Sequence, residues 1–382
     1  MSETDIPAQG EQETPRPLHE TVHKKRRIDT YFKTVASVGG SDVHIKSDAV
    51  PRIRVNGELR ALKTAVLTTD DVNGIIEEML SPEQMHDFHT HGTLDMAYAL
   101  TKMDRFRVNI FRQRDTTSLV ARRINPKVPN YTDLNLPEIF SKIADREHGL
   151  VIMAGITGSG KSTTIAAMIE QINESKNVHI VTIEDPIEFS YVDKKALINQ
   201  REIGLDCDTF ENGIRAMLRE DPDVILIGEM RDRFTFQAAI NAAETGHLVF
   251  STVHASSAPG AITRMLELFP KDQHENIRQG IAANLVAICF QKLLPAIDPT
   301  KKRVPCVEVM LSSPNVKKYI LEGRENDLIS VIRGERGTGM IDFNEMLSDL
   351  VMKEIVSIKE ALLASPNPEE LKMRMRGIKT SG

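Results

Sequence analysis

The stretch Gly155-Ile156-Thr157-Gly158-Ser159-Gly160-Lys161-Ser162 decides the fold of this chain. It follows the pattern G-x-x-x-x-G-K-[ST], in which glycines let successive backbone N–H groups turn toward an anion. An apolar run at 150–154 predicts a buried strand before it, and apolar spacing over 161–172 predicts a helix after it. Strand, loop and helix together predict a phosphate-binding loop at a helix N-terminus. The residues expected to bind the phosphates are Gly155, Thr157, Gly158, Ser159, Gly160, Lys161, Ser162 and Thr163.

Composition is that of an ordinary globular protein. Of 382 residues, 41% are hydrophobic and 27% are charged, and the formal net charge of −6 disfavours nucleic acid as a partner. The 3 cysteines form no CxxC pair, which is typical of a reducing compartment. No apolar run approaches the ~20 residues of a membrane span, and the start of the chain lacks a signal-peptide core. We therefore expect a cytoplasmic protein without a membrane span.

Changes of pattern along the chain predict its domains. The start is polar and rich in Pro, Glu, Gln and Thr, which is typical of a disordered tail. Short alternating strands and helices then predict a small α+β domain, and a proline-rich stretch predicts a hinge-like linker. After the linker, strands alternate with helices, which predicts a mainly parallel sheet. The predicted boundaries are 1–27 for the tail, 28–124 for the α+β domain, 125–137 for the linker, 138–365 for the α/β domain and 366–382 for a C-terminal tail.

Hydrophobic periodicity predicts the individual elements. In the α+β domain it predicts a helix at 28–38, a hairpin at Asn56-Gly57 and a helix at 69–80 capped by Thr69. In the α/β domain it predicts strands at 150–154, 179–183, 224–227, 248–253 and 306–311. It predicts helices at 161–172, 208–219, 232–243, across most of 259–294, and at about 314–322, 341–352 and 357–364.

Three polar residues follow the predicted parallel strands and offer what hydrolysis of a bound nucleotide needs. Glu229 is the candidate general base for the attacking water, with a helix-capping acid as the alternative. Glu184 and the hydroxyl of Ser162 are candidate ligands of Mg²⁺ or of its water shell. His254 is placed to contact a γ-phosphate, although a purely structural loop histidine is the alternative. Because carboxyl ends of parallel strands share one edge, these groups predict an ATP and Mg²⁺ site.

Arginines on adjacent strands of the small domain are candidates to stabilise phosphoryl charge. They are Arg105, Arg107, Arg112 and Arg122. Since side chains alternate across a strand, only every second residue can face one site, and Arg105 and Arg107 share a face. The alternative is a solvated sheet surface, which explains part of this set equally well.

These motifs resemble the secretion ATPase superfamily. The P-loop is followed by an acid-rich segment at 182–188, by Gly228-Glu229-Met230-Arg231-Asp232 and by a segment at 252–254, in the order that superfamily has. The stretch Arg105-Phe106-Arg107-Val108-Asn109 is similar to the pilus-retraction ATPases, the PilT/PilU twitching-motility type. The resemblance extends from about residue 31 to about residue 377. It implies an α/β fold in which a smaller PAS-like α+β domain precedes a RecA-like P-loop NTPase domain.

The resemblance also implies roles and partners. The family's Asp box, atypical Walker B and His box fall on 182–188, 224–229 and 252–254. Family arginines that reach ATP fall best on Arg107 and Arg122, with Arg105 and Arg112 next. The implied assembly is a homohexamer with ATP between the two domains, acting on an inner-membrane pilus platform protein from the inner face of the cell membrane.

Departures from the family pattern leave alternatives open. Ile156 stands where the family often has proline, and the retraction signature near 315–320 keeps only its helical pattern and its first and last apolar positions. The segment 342–373 looks closer to the PilU type, which makes a second retraction ATPase a candidate partner. A pilus-assembly or type II/IV secretion ATPase is an alternative, disfavoured by the missing CxxC zinc module. A RecA-like DNA translocase and a non-hydrolysing ring scaffold are alternatives from other classes.

Overall fold

The computed structural model describes residues 26–101 and 104–376, which form two compact units. One unit comprises the described residues up to Leu94 together with Asn109–Ala121. The other comprises Asp95–Val108, where described, and the described residues from Arg122 onward. The predicted N-terminal tail, apart from its last two positions, and the final residues 377–382 lie outside the described residues.

The N-terminal elements form a six-stranded sheet with three helices. They are α1 (Ile28–Ser37), β1 (Asp42–Lys46), β2 (Arg52–Val55), β3 (Glu58–Ala61), α2 (Thr69–Met79), α3 (Pro82–His91), β4 (Thr93–Ala99), β5 (Arg105–Gln113) and β6 (Thr116–Arg123). The strand order is β3-β2-β1-β6-β5-β4. The predicted hairpin is confirmed: Asn56 and Gly57 have φ of 54° and 87°, the left-handed pair that a type I′ turn requires.

Two details of this region differ from the prediction. The cap of α2 is Thr68 and not Thr69, because the Thr68 hydroxyl accepts from the backbone N–H of Asp71 while the Asp71 carboxylate accepts from the N–H of Thr68. Helix α3 was not predicted from periodicity. Phe88 is the residue that it buries, so it has no apolar stripe to detect.

The second sheet has seven strands and carries the P-loop. The elements up to its last strand are α4 (Tyr131–Leu134), α5 (Ile139–Ala144), β7 (Gly149–Ala154), α6 (Lys161–Ser175), β8 (His179–Glu184), β9 (Leu197–Glu202), α7 (Phe210–Met217), β10 (Val224–Ile227), α8 (Arg233–Glu244), β11 (Leu248–Val253), α9 (Ala258–Leu266), α10 (His274–Asn284), β12 (Leu285–Pro295) and β13 (Arg303–Leu311). The order is β13-β12-β7-β11-β10-β8-β9, and all neighbours except β12 and β13 run parallel. Every residue of β7, β10 and β11 is buried, as parallel strands with two covered faces are.

The four predicted parallel strands are confirmed, but the prediction of helix through 294 is wrong at its end. Helix α10 stops at Asn284, and Leu285–Pro295 is strand β12, which pairs with β7 and β13. A short continuous apolar run is compatible with a buried strand or a buried helix, so periodicity alone could not decide. Strand β9 was also missed because it is a sheet-edge strand with polar residues.

The chain closes with helices that pack on this sheet region. They are α11 (Pro314–Leu321), α12 (Leu328–Gly334), α13 (Phe343–Met352), α14 (Ile358–Ala364) and α15 (Pro368–Met375). Helix α15 lies beyond the predicted domain end at 365, and its Leu371 is fully buried in the core. None of the helices among the described residues is long and apolar enough to span a membrane.

Candidate active site

A cavity of about 450 Å³ lies at the carboxyl edge of the seven-stranded sheet. Because β7, β8, β10 and β11 run parallel, the segments that follow them meet at this edge. The predicted residues that line the cavity are Thr157, Gly158, Ser159, Gly160, Lys161, Ser162, Thr163, Glu184, Glu229 and His254. The sheet therefore brings together the P-loop, both predicted carboxylates and the predicted histidine.

The backbone of the P-loop has the shape of an anion cradle. Gly160 ends the loop in the left-handed region at φ 84°, and α6 begins with the next residue. At Gly155 a Cβ atom would stand 2.6 Å from the Ser159 hydroxyl, so only glycine fits. The Ser159 hydroxyl is itself buried without a hydrogen-bond partner among the described residues. The loop thus combines this hydroxyl with a helix N-terminus beside the cavity, which suits nucleotide phosphates.

Lys161 supplies the positive charge of the loop. Its ammonium group donates to the carbonyl oxygens of Gly155 at 2.7 Å and Ile156 at 3.0 Å, so the side chain folds back over the loop. The residue is only 9% exposed, and this burial lowers the pKa of its ammonium group, against the attraction of Glu229. A buried ammonium group is a strong recognition element for phosphate.

Glu229 is held between two basic side chains. Its Oε2 accepts a hydrogen bond from Arg231 Nε at 2.8 Å, and its Oε1 lies 3.0 Å from His254 Nε2. Arg231 also lies 3.6 Å from Asp185, and its hydrogen bond to Glu229 raises the pKa of the guanidinium. Arg231 was not predicted as a site residue. The signal for it in the sequence was the stretch Gly228-Glu229-Met230-Arg231-Asp232, which places it two residues after Glu229.

Glu184, at the end of β8, is more deeply buried than Glu229. Its Oε1 accepts from the Thr182 hydroxyl at 2.8 Å and from the Gln200 amide at 3.3 Å. Burial raises the pKa of its carboxyl group to about 7, although both hydrogen bonds oppose the rise. The site therefore contains two carboxylates in different environments, which is how one site separates two acid–base roles.

The buried Glu184 carboxyl predicts a pH-dependent stability. Its pKa is higher in the folded chain than in the unfolded chain, so its ionisation destabilises the fold as pH rises from about 4.5 through about 7. Glu184→Gln, which keeps the accepting oxygen, should raise the free energy of unfolding at pH 8 by roughly 1–3 kcal/mol and change it little at pH 4. Urea unfolding at both pH values measures this.

The control for that experiment is Glu147→Gln, the same change at an exposed side chain. It should leave the free energy of unfolding nearly unchanged at both pH values. Equal effects of the two substitutions at pH 8 would contradict a buried, destabilising carboxylate at Glu184.

Three predicted arginines lie near the start of β5 and the end of β6. Arg107 Nε is 3.9 Å from Glu202 Oε1 and 4.0 Å from Asp95 Oδ1. Arg105 shares its face of β5, as alternation predicts, and is exposed, as is Arg122 on β6. None of these three lines the cavity, whose described arginines are Arg231 and Arg303.

Arg112 differs from the other three. On β5 it belongs to the alternate set of residues whose other members are buried. Its side chain lies against α3, with the guanidinium 5.6 Å from the Phe88 ring and 3.1 Å from His89. Since β5 alternates, Arg112 points away from the face of Arg105 and Arg107. The structure therefore does not bring Arg112 together with them.

The domain has a P-loop after a central parallel strand, two carboxylates in the same cavity and a RecA-like strand order. These features together define a nucleotide-hydrolysing domain. Comparison with known proteins agrees: residues 19–361 match the family described as Type II/IV secretion system protein. The chain belongs to this family and is an ATPase.

Relatives of known name cover nearly the whole chain. The type IV pilus retraction ATPase PilT of Pseudomonas aeruginosa is 38% identical over 334 residues, which is 87% of this chain and 96% of that protein. The type IV pilus ATPase PilU of the same organism is 35% identical over 349 residues, 91% of each. A crystal structure of the pilus retraction motor PilT with bound ADP superposes with a TM-score of 0.83 at 35% identity, covering 91% of this chain and 99% of that one. The predicted family and fold class are confirmed.

Proposed function

We propose that this chain is the ATP-driven motor of type IV pilus retraction, the movement that underlies twitching motility. The observation that carries the proposal is the likeness to a retraction motor over nearly its full length, in sequence and in fold. The intact hydrolytic residues support it, since Lys161, Glu184 and Glu229 all line one cavity. Domain movement driven by ATP would then be coupled to removal of pilin subunits at the pilus base.

We further propose specific roles within the site. ATP binds with Mg²⁺, whose ligands include the Ser162 hydroxyl and, directly or through water, Glu184. Both residues line the cavity and offer the hard oxygen donors that Mg²⁺ prefers. Glu229 accepts the proton of the attacking water, and His254 contacts the γ-phosphate. Arg107, Arg122 and Arg105 are better candidates than Arg112 to supply further positive charge to the phosphates.

Arg107 is the arginine whose loss should matter most to turnover. Its present partner is the buried Glu202, whose Oε2 accepts from the backbone N–H of Ile187 in the segment that follows Glu184. Arg107→Ala should lower kcat by about 10²-fold, because the proposed donor to the transferring phosphoryl group, which must leave Glu202 to reach ATP, is lost. Steady-state phosphate release measures this. Arg60→Ala, an exposed arginine on β3, is the control, and equal kcat values for both variants would contradict the role.

The proposed assembly is a homohexamer that works at the cytoplasmic face of the inner membrane on a pilus platform protein, with or without a second retraction ATPase. Native mass spectrometry of the purified chain with ATP and Mg²⁺ should detect six copies. A monomer at every concentration and with every nucleotide would contradict the ring.

Deletion of the gene in its host tests the function directly. Retraction predicts cells that keep or gain surface pili and lose twitching, and complementation with the wild-type gene should restore movement. Complementation with Glu229→Gln should fail, which ties the phenotype to hydrolysis. Loss of surface pili would identify an assembly motor, and normal pili with a defect in protein export or DNA transport would identify a secretion or translocation motor; each overturns the proposal.

A further inference from the structure

We propose that Gln291 is a positioning residue for ATP binding, because its side-chain amide sets the orientation of the Ser159–Gly160 peptide in the P-loop. Gln291 lies on β12, the neighbour of the strand that leads into the loop, and was not singled out by any motif. The inference depends on nucleotide binding by the P-loop, and neither on hydrolysis nor on the direction in which the motor works.

The Gln291 amide connects the loop to the helix that follows it. Its Nε2 donates to the carbonyl oxygen of Ser159 at 2.8 Å, and its Oε1 accepts from the Thr164 hydroxyl at 2.8 Å. The side chain is only 2% exposed, so both hydrogen bonds are shielded from water. A carbonyl can only accept, so the amide nitrogen must face Ser159 and the amide oxygen must face Thr164.

Peptide geometry turns this contact into an effect on the nucleotide. The Ser159–Gly160 peptide is trans, so its carbonyl and its N–H point in opposite directions. Gln291 holds the carbonyl of Ser159 toward β12. The N–H of Gly160 is thereby directed away from β12, to the side on which Gly160 lines the cavity. A P-loop binds phosphate through such inward N–H groups, and each must be oriented before the ligand arrives.

The glycines of the loop are shaped around the same residue. A Cβ at Gly155 would lie 2.5 Å from the backbone oxygen of Gln291, and a Cβ at Gly160 would lie 2.8 Å from its Nε2. The loop therefore rests directly on Gln291 at both of its ends. A buried amide in this place is explained by its two hydrogen bonds, since an apolar side chain would fill the space but leave the Ser159 carbonyl unsatisfied.

The discriminating variant is Gln291→Glu, which has the same shape. A carboxylate can still accept from Thr164, but it cannot donate to the Ser159 carbonyl, and two oxygens then repel each other. We expect the affinity for ATPγS with Mg²⁺, measured by titration calorimetry at pH 8, to fall at least tenfold relative to wild type. At pH 6 burial favours the protonated acid, which donates again, so the ratio to wild type should recover.

Two further variants separate positioning from general destabilisation. Gln291→Met keeps the volume but loses both hydrogen bonds, so its affinity should fall at both pH values without recovery. Cys289→Ala removes volume from a fully buried residue on the same face of β12 and should lower the melting temperature while keeping the affinity.

The proposal is overturned if Gln291→Glu binds ATPγS like wild type at pH 8. It is also overturned if its loss of affinity is the same at pH 6 and pH 8, or if Gln291→Met loses no more affinity than Cys289→Ala. A wild-type protein that binds nucleotide without hydrolysing it would count against the ATPase assignment alone, because affinity is measured independently of turnover.

Discussion

Lys161→Ala is expected to reduce ATP turnover to below about 1% of wild type and to weaken nucleotide binding roughly tenfold to a hundredfold. The rate estimate follows from the loss of a buried cationic donor to developing phosphoryl charge, which typically costs 10²–10³ in kcat. The ammonium is the charged group that the P-loop itself contributes, and α6 carries it into the cavity at its first residue. Phosphate release and titration with a fluorescent ADP analogue measure the two effects.

The substitution also removes hydrogen bonds to the carbonyls of Gly155 and Ile156, so a loosened loop must be distinguished from a lost charge. Lys176, just beyond the other end of α6, offers a matched control. Its ammonium also donates to two backbone carbonyls, those of Ala144 and Arg146. Burial lowers the pKa of this lysine too. Lys176→Ala should cost stability while ATP affinity stays near wild type. Turnover above about a tenth of wild type in Lys161→Ala would contradict the assigned role.

The parts of the site that the sequence predicted are those in which local pattern and motif agree. The P-loop has a fixed spacing, and the apolar runs that end before Glu184, Glu229 and His254 are long enough to define parallel strands. Parallel strands place their carboxyl ends at one edge of the sheet, so the sequence alone predicts that these three residues lie close together.

The parts that it could not predict depend on contacts between distant residues. Gln291 meets Ser159 across 132 positions of chain, and no spacing rule connects them. The strand that carries Gln291 was itself misread as helix, so its place beside the P-loop strand was hidden. Arg231 was visible in a quoted motif, yet its pairing with Glu229 and Asp185 depends on how two loops meet. Sequence patterns predict secondary-structure elements, whereas the partners of polar side chains depend on how those elements pack.

Glu229→Gln is expected to lower kcat by about 10²–10⁴-fold, the usual contribution of a positioned general base, while ATP affinity is retained. The amide keeps an oxygen for Arg231, so the loop should stay in place, but it cannot accept a proton from water. ATP and not ADP should therefore remain bound after rapid desalting. The measurement is chromatography of the nucleotide released from denatured protein.

The different environments of Glu229 and Glu184 make either carboxylate a candidate for the general base. Glu229 is paired with Arg231 and lies beside His254, so both of its oxygens already have partners. Burial instead brings the pKa of Glu184 to about 7, close to the working pH at which a general base is most effective. For Glu229 to act, the contact with Arg231 must loosen when ATP binds, and the 57% exposed side chain of Arg231 leaves it room to move.

The Mg²⁺ dependence of the two variants decides between the assignments. If Glu229 is the base and Glu184 helps to hold the metal, Glu229→Gln should keep the wild-type half-saturation for Mg²⁺ in ATP binding, whereas Glu184→Gln should require several times more Mg²⁺. If Glu184 is the base, Glu184→Gln should trap ATP with unchanged Mg²⁺ dependence, and Glu229→Gln should turn over ATP at a rate within a few fold of wild type. Arg231→Ala supplies an independent check on the release of Glu229: if the contact with Arg231 must loosen before Glu229 acts, removing that guanidinium should leave turnover near wild type, and a large loss of turnover would contradict the release.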